Sequence, residues 1–141
     1  CRTYQDHRHL FSRQWLHNNT TLTNFLVKEK TVYTLDLSHI REDYALSDLA
    51  SLVISCHFLK ISQAIIKNII QDYCRQHAAG PQLLPVLNVL VTTSLIKEYL
   101  KAVQREKGLP TVNCPEKLKR TYSFYLQERK KTILRLLKKR A

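Results

Sequence analysis

The stretch DYALSDLASLVISCHFLKISQAIIKNIIQDYCRQH, residues 43–77, decides the fold. Its apolar residues recur in steps of three and four: Leu46, Leu49, Val53 and Cys56, then Phe58, Ile61, Ile65, Ile69 and Tyr73. That is the period of an amphipathic helix. Asp43 stands where an N-cap belongs. One uninterrupted helix here would exceed about 45 Å at the helical rise. The pattern therefore predicts a short helix, a break near Ser55–Cys56, and a long helix after it. Ile66 and Ile70 widen the second stripe, which places Ile65 in the core. Gly80–Pro81 ends the long helix, because Gly suits a left-handed C-terminal residue and Pro cannot continue.

Working outward, the next helix runs from about Gln82 or Pro85 to Lys107. Leu83, Leu84, Val86, Leu87, Leu90 and Val91 make its first half apolar nearly all round, so Leu87 is a core residue. Gly108 and Pro110 stop it, and Pro115 opens a last helix with Leu118, Tyr122, Tyr125, Leu126, Ile133 and Leu137 on its inner side. Before residue 43 the signal weakens. Leu10, Phe11, Trp15 and Leu16 suggest a short helix reaching toward Val27. Residues 31–37 (TVYTLDL) alternate and are rich in β-branched side chains, which reads as extended chain. With no second strand to pair with, Lys28–Glu42 is taken as a long connection. The expectation is one all-α domain over residues 1–141, a compact bundle of five to six helices.

Composition narrows the function classes. The chain has 141 residues, only 2 Gly and a net charge of +12. Ten basic residues against Glu116 and Glu128 give residues 115–141 a net +8, so the basicity is concentrated at the C-terminal end. Such a patch suits nucleic acid, an anionic membrane surface, heparan sulfate or an acidic receptor face. No apolar run approaches the length of a membrane span, so no membrane insertion is expected. A start at Cys1 without Met fits a secreted chain trimmed of its signal. His7 and His9 lack a third metal ligand, Cys56-His57 point apart on a helix, and no paired carboxylates stand out. The expectation is no enzyme, no metal and no cofactor.

Cys1, Cys56, Cys74 and Cys114 contain no CxxC spacing, and in a secreted domain they read as two disulfides. Cys56 and Cys74 are 18 residues apart on one helix in this reading, about 27 Å, so they cannot bridge. The following helix folds back antiparallel and returns Cys114 to the Cys56 end. The predicted pairs are Cys56–Cys114 and Cys1–Cys74. Asn18-Asn19-Thr20 and Asn19-Thr20-Thr21 are overlapping N-glycosylation sequons, at Asn18 and Asn19.

A small, helical, disulfide-bonded chain with a glycosylated N-terminal region resembles the class II helical cytokines, the interleukin-10 and interferon superfamily. In interleukin-10-like members a Cys opens a long helix and another follows the helix that folds back. Cys56-His-Phe-Leu-Lys-Ile-Ser and Thr-Val-Asn-Cys114-Pro-Glu-Lys stand in those places. Cys1–Cys74 is similar to the bond that ties the N-terminus of type I and III interferons to a core helix. The mixture looks like an interferon outside the best-known types, nearest the type IV interferons of lower vertebrates. Two departures stand against it. The Cys-Ala-Trp-Glu motif of type I interferons is absent, and only 27 residues follow Cys114, where interleukin-10-like chains fit two helices.

The resemblance implies a secreted antiviral or immune signal that bridges two different class II cytokine receptor chains. It puts receptor contacts on the loop, at Lys28, Lys30, Tyr33 and Asp36, and on the last helix, at Arg129 and Lys130. Heparan sulfate is a further expected partner of the basic last helix. A basic nucleic-acid-binding module is the alternative, in which Tyr122, Phe124 and Tyr125 stack on bases. Against it, Tyr122 and Tyr125 are expected in the core.

Overall fold

A computed structural model describes residues 13–44, 46–76, 82–109 and 114–139. The chain divides into two compact units, residues 1–91 and 92–141.

The described part of the first unit starts as extended chain. Strand β1 (Arg13–Leu16) pairs antiparallel with β4 (Arg41–Tyr44), with Arg13 opposite Tyr44 and Leu16 opposite Arg41. Between them, β2 (Phe25–Lys28) and β3 (Thr31–Thr34) form a hairpin in the register Phe25 to Thr34, Leu26 to Tyr33, Val27 to Val32 and Lys28 to Thr31. The connections carry single 3-10 turns at Leu22–Asn24 and Leu37–His39. One two-stranded ribbon thus closes around the base of another. The turns are made without glycine: Asn18, Glu29 and Asp36 take left-handed backbone with φ near 56°.

Helix α1 (Leu46–Phe58) follows and buries Leu46, Leu49, Ala50, Val53, Ile54 and Cys56. Leu59–Ser62 breaks the chain, with Lys60 in the left-handed region at φ 57°. Helix α2 (Gln63–Gln76) is weakly buried, with Ile66 inside. Helix α3 (Leu83–Gly108) begins in the first unit, where Leu83, Val86, Leu87 and Val91 are buried. Its remainder lies in the second unit with α4 (Glu116–Lys138), and there Leu95, Ala102, Leu126, Ile133 and Leu136 are buried. Pro115 caps α4, its carbonyl accepting from the Leu118 and Lys119 N–H groups.

Several expectations are corrected. The chain is not an all-α bundle of five to six helices with two disulfides. It has four helices and two small antiparallel sheets among the described residues. Residues 13–16 and 25–28 are strands rather than helix, and the connection 28–42 contains β3 and the first half of β4. Thr31–Thr34 does have a partner: Phe25–Lys28, whose short apolar run suits a strand as well as a helix. Asp43 lies in β4, where its carboxylate accepts from the Tyr44 N–H at 2.8 Å.

The helix break falls at 59–62, not at Ser55–Cys56, so Cys56 and Cys74 lie on different helices and the length argument against pairing them lapses. Cys56, Cys74 and Cys114 are free thiols. Cys56 sits on the inner stripe of α1 with Leu49 and Val53, in the place of an aliphatic core residue. Cys1 and Gly80–Pro81 lie outside the described residues. Ile65 is 52% exposed, because its neighbour Ile66 takes the inward position on α2. Leu87, by contrast, is buried as expected.

Candidate functional site

Two surfaces gather the residues that sequence reasoning singled out. The first is the ribbon. Leu16 is its one buried large side chain, so hydrogen bonds position it. Asp48, in the first turn of α1, accepts from the backbone N–H groups of His17 at 3.0 Å and Asn18 at 2.8 Å. A carboxylate there also complements the positive end of the helix. Ser55 Oγ accepts from the Leu22 N–H at 2.9 Å. The two ribbons are laced together by His17 Nε2 with the Leu35 carbonyl at 2.8 Å, and by Asn24 Nδ2 donating to the Asn19 carbonyl at 2.8 Å.

The sequon residues belong to this lacing. Asn18 Nδ2 donates to the carbonyls of Leu16 and Arg41, which engages both amide hydrogens. Asn19 Nδ2 donates to Asp36 Oδ2 at 3.0 Å. The other Asp36 oxygen accepts from Ser38 Oγ at 2.5 Å, and that hydroxyl holds the carboxyl below its ordinary range. Asp36 is thus turned into the loop that it organises.

Lys28, Lys30 and Tyr33 are brought together on the β2–β3 hairpin. Strand alternation puts Leu26 and Lys28 on one face, with Tyr33 and Thr31 opposite them. Lys30 is in the turn. Val27 and Val32 form the pair on the other face. All of these side chains are exposed, Tyr33 by 48% and Val27 by 66%. Trp15 on β1 is 76% exposed.

The second surface is α4. Its two faces use charge differently. On the inner face Arg129 Nη2 donates to Glu98 Oε2 at 2.7 Å, and Arg129 Nη1 donates to Tyr125 Oη at 2.6 Å. Lys101 Nζ reaches the other Glu98 oxygen at 2.9 Å. Burial opposes ionisation of Glu98, but the bonds from Lys101 and Arg129 outweigh it and hold the carboxyl below its usual range. Lys130 Nζ pairs with Glu106. Arg129 and Lys130, expected as receptor contacts, therefore tie α4 to α3 within the second unit.

On the outer face stand Lys117, Arg120, Phe124, Lys131, Arg135 and Lys138, all exposed. Between the faces runs an open apolar groove of about 540 Å³, lined by Leu109, Cys114, Leu118, Thr121, Tyr122 and Tyr125. Tyr122 and Tyr125 stack at 6.0 Å. Leu118, Tyr122 and Tyr125 were expected in the core; they wall the groove, and the core positions of α4 are Leu126, Ile133 and Leu136.

Among the described residues no three His, Cys, Asp or Glu side chains gather as metal ligands would. Burial raises the thiol pKa of Cys56 and of Cys74, which disfavours the nucleophilic thiolate. Helix α3 is long and apolar enough to cross a membrane by length and composition. Lys97 and Glu98 interrupt its apolar run without lowering the average below that of a span, so the helix passes on mean hydropathy although no unbroken apolar run is that long. No family model, no curated protein and no solved structure matches the chain.

Proposed function

We propose that the chain is a secreted, interferon-like signalling ligand that acts by contact. It holds two class II cytokine receptor chains at a fixed spacing and catalyses no reaction. One observation carries the reading: the β2–β3 hairpin presents Leu26, Val27, Val32 and Tyr33 to solvent beside Lys28 and Lys30. A two-stranded ribbon has no sheet partner of its own to cover such side chains. On one face Tyr33 pairs with Leu26 beside Lys28, and an aromatic–apolar pair with a cation at its rim is the composition of a protein-binding hot spot. Asp36 supports the hairpin from below rather than touching the partner.

The test is surface plasmon resonance of the whole chain against a panel of class II receptor ectodomains. The parent chain binds at least one of them. Tyr33→Ala weakens that binding by about tenfold or more while the far-ultraviolet circular dichroism is unchanged. No binding to any ectodomain overturns the reading.

The second reading is the nucleic-acid-binding module. It is favoured by Phe124, 66% exposed on the basic face of α4. A mobility-shift titration with single-stranded DNA tests it, and Phe124→Ala abolishes the shift if bases stack there.

A further inference from the structure

The cations of α4 fall into two sets that the sequence does not distinguish. Arg129 and Lys130 point inward and are joined to Glu98 and Glu106. Lys117, Arg120, Lys131, Arg135 and Lys138 follow one another with Phe124 at steps of three, four and seven residues. At 100° per residue these positions share one face of the helix. Only Glu116 and Glu128 oppose them: Glu116 lies 3.7 Å from Arg120 and Glu128 lies 2.8 Å from Lys131, both as exposed pairs. Exposed pairs of this kind hold their cations weakly.

We infer that this outer stripe of α4 is a docking surface for a linear sulfated polysaccharide of the heparan sulfate type. The inference rests on the extracellular setting of the proposed function, and it names a partner distinct from the receptor chains. Three features of the stripe favour a polysaccharide. It is straight and spans 22 residues, about 32 Å of helix, so it matches an extended polyanion better than a compact anion. Its cations are two Lys–Arg clusters on a rigid helix, able to meet sulfates along a chain with little loss of order. Its aromatic content is one ring. Tyr122 and Tyr125 stack on each other along the groove, off the stripe, and Tyr125 is bonded to Arg129. A platform that reads single-stranded nucleic acid stacks successive bases on several rings among its cations, and this stripe offers one. A sulfated sugar chain needs the cations alone.

The experiment compares whole-chain variants on immobilised heparin across a range of NaCl concentrations. The stripe variant is Lys131→Gln, Arg135→Gln and Lys138→Gln combined. The control is Lys97→Gln, Arg105→Gln and Lys107→Gln on α3, which removes the same formal charge. These positions are exposed, and Gln is close to Lys and Arg in helix propensity, so circular dichroism of both variants should match the parent. The expected result is retention of the parent on heparin near physiological salt. The stripe variant loses affinity by about tenfold or more, with a shallower salt dependence, and the control stays within about twofold of the parent.

Phe124→Ala leaves heparin binding unchanged. Equal loss in control and stripe variants would show that binding follows net charge alone, and the proposal would fall. It would fall equally if oligothymidylate displaced the chain from heparin at lower charge concentration than free heparin does, or if Phe124→Ala removed the binding; either result assigns the stripe to nucleic acid. Receptor binding is read separately through Tyr33→Ala, so loss of heparin binding with ectodomain binding intact overturns the stripe and leaves the receptor reading standing.

Discussion

Residues 13–44 bury a single large side chain, Leu16, and are fixed to α1 by three backbone N–H groups that donate to Asp48 and Ser55. The helices are held the other way. Leu46, Val53, Val86, Val91, Leu95, Leu126 and Ile133 are almost wholly removed from water, and polar contacts add staples at the edges. The ribbon therefore owes its position to a few directional bonds, and the helices owe theirs to apolar area. Directional bonds fix a conformation but each adds only about 1 kcal/mol net. Buried aliphatic side chains add about 1.5–3 kcal/mol each. The region with the less stable attachment is also the one that carries the exposed hairpin, and the proposed role of that hairpin in binding suits a locally less stable region.

The contrast can be broken at its strong end first. Leu87→Ala removes a buried side chain from α3 and is expected to cost about 2–5 kcal/mol. A denaturant midpoint equal to the parent's would show that apolar burial does not hold this helix. At the other end, Asp48→Ala leaves the His17 and Asn18 N–H groups without their acceptor, at a cost of about 1–3 kcal/mol. Hydrogen exchange should then rise through residues 13–44 while α1 and α3 keep their protection. Uniform acceleration over the whole chain would mean that the ribbon is not a separately attached region.

Glu98→Gln sharpens the comparison inside the helical part. Arg129 loses its carboxylate in a setting about one quarter exposed, and the expected cost is about 1–2 kcal/mol. The sign of its pH dependence follows from the lowered Glu98 pKa. A carboxyl with a folded pKa below its unfolded value adds stability that is fully present above the unfolded value and fades as pH falls through the folded one. The gap between parent and variant should thus be widest above the ordinary glutamate range near 4.5 and close in acid. A gap that widens in acid would contradict the pairing.

The smallest effect concerns modification. Expression in a glycosylating host should place any glycan on Asn19 and none on Asn18, because both Asn18 amide hydrogens are engaged. Peptide mapping that finds a glycan on Asn18 would refute the ribbon geometry.

The helices were readable in the sequence where apolar steps of three and four met strong terminators, as from Leu83 to Gly108 and from Pro115 onward. The ribbon was not. Its turns use Asn18, Glu29 and Asp36 in left-handed backbone, so the glycine that marks such turns is missing. The partner of Thr31–Thr34 is only four residues long and has no period to betray it. The break after α1 was misplaced for the same reason, since Lys60 does there what a glycine usually does. Between Ile65 and Ile66, adjacent and identical, no pattern chooses which faces inward. The receptor candidates divide likewise. Lys28, Lys30 and Tyr33, close in sequence, fall together on one hairpin. Arg129 and Lys130 look like surface cations until their partners, 31 and 24 residues away, are seen beside them.

The closed ribbon has a consequence for proteolysis. Lys28 ends β2 and Lys30 lies in the exposed turn at the tip of the hairpin, and each offers trypsin a site. A cut after Lys30 puts β1 and β2 on one fragment and β3, β4 and helices α1 to α4 on the other. Both ladders then run between the fragments, as do the bonds from His17 and Asn18 to Asp48 and from Leu22 to Ser55. The severed backbone is expected to remain one particle: two bands in detergent, a single peak on a sizing column.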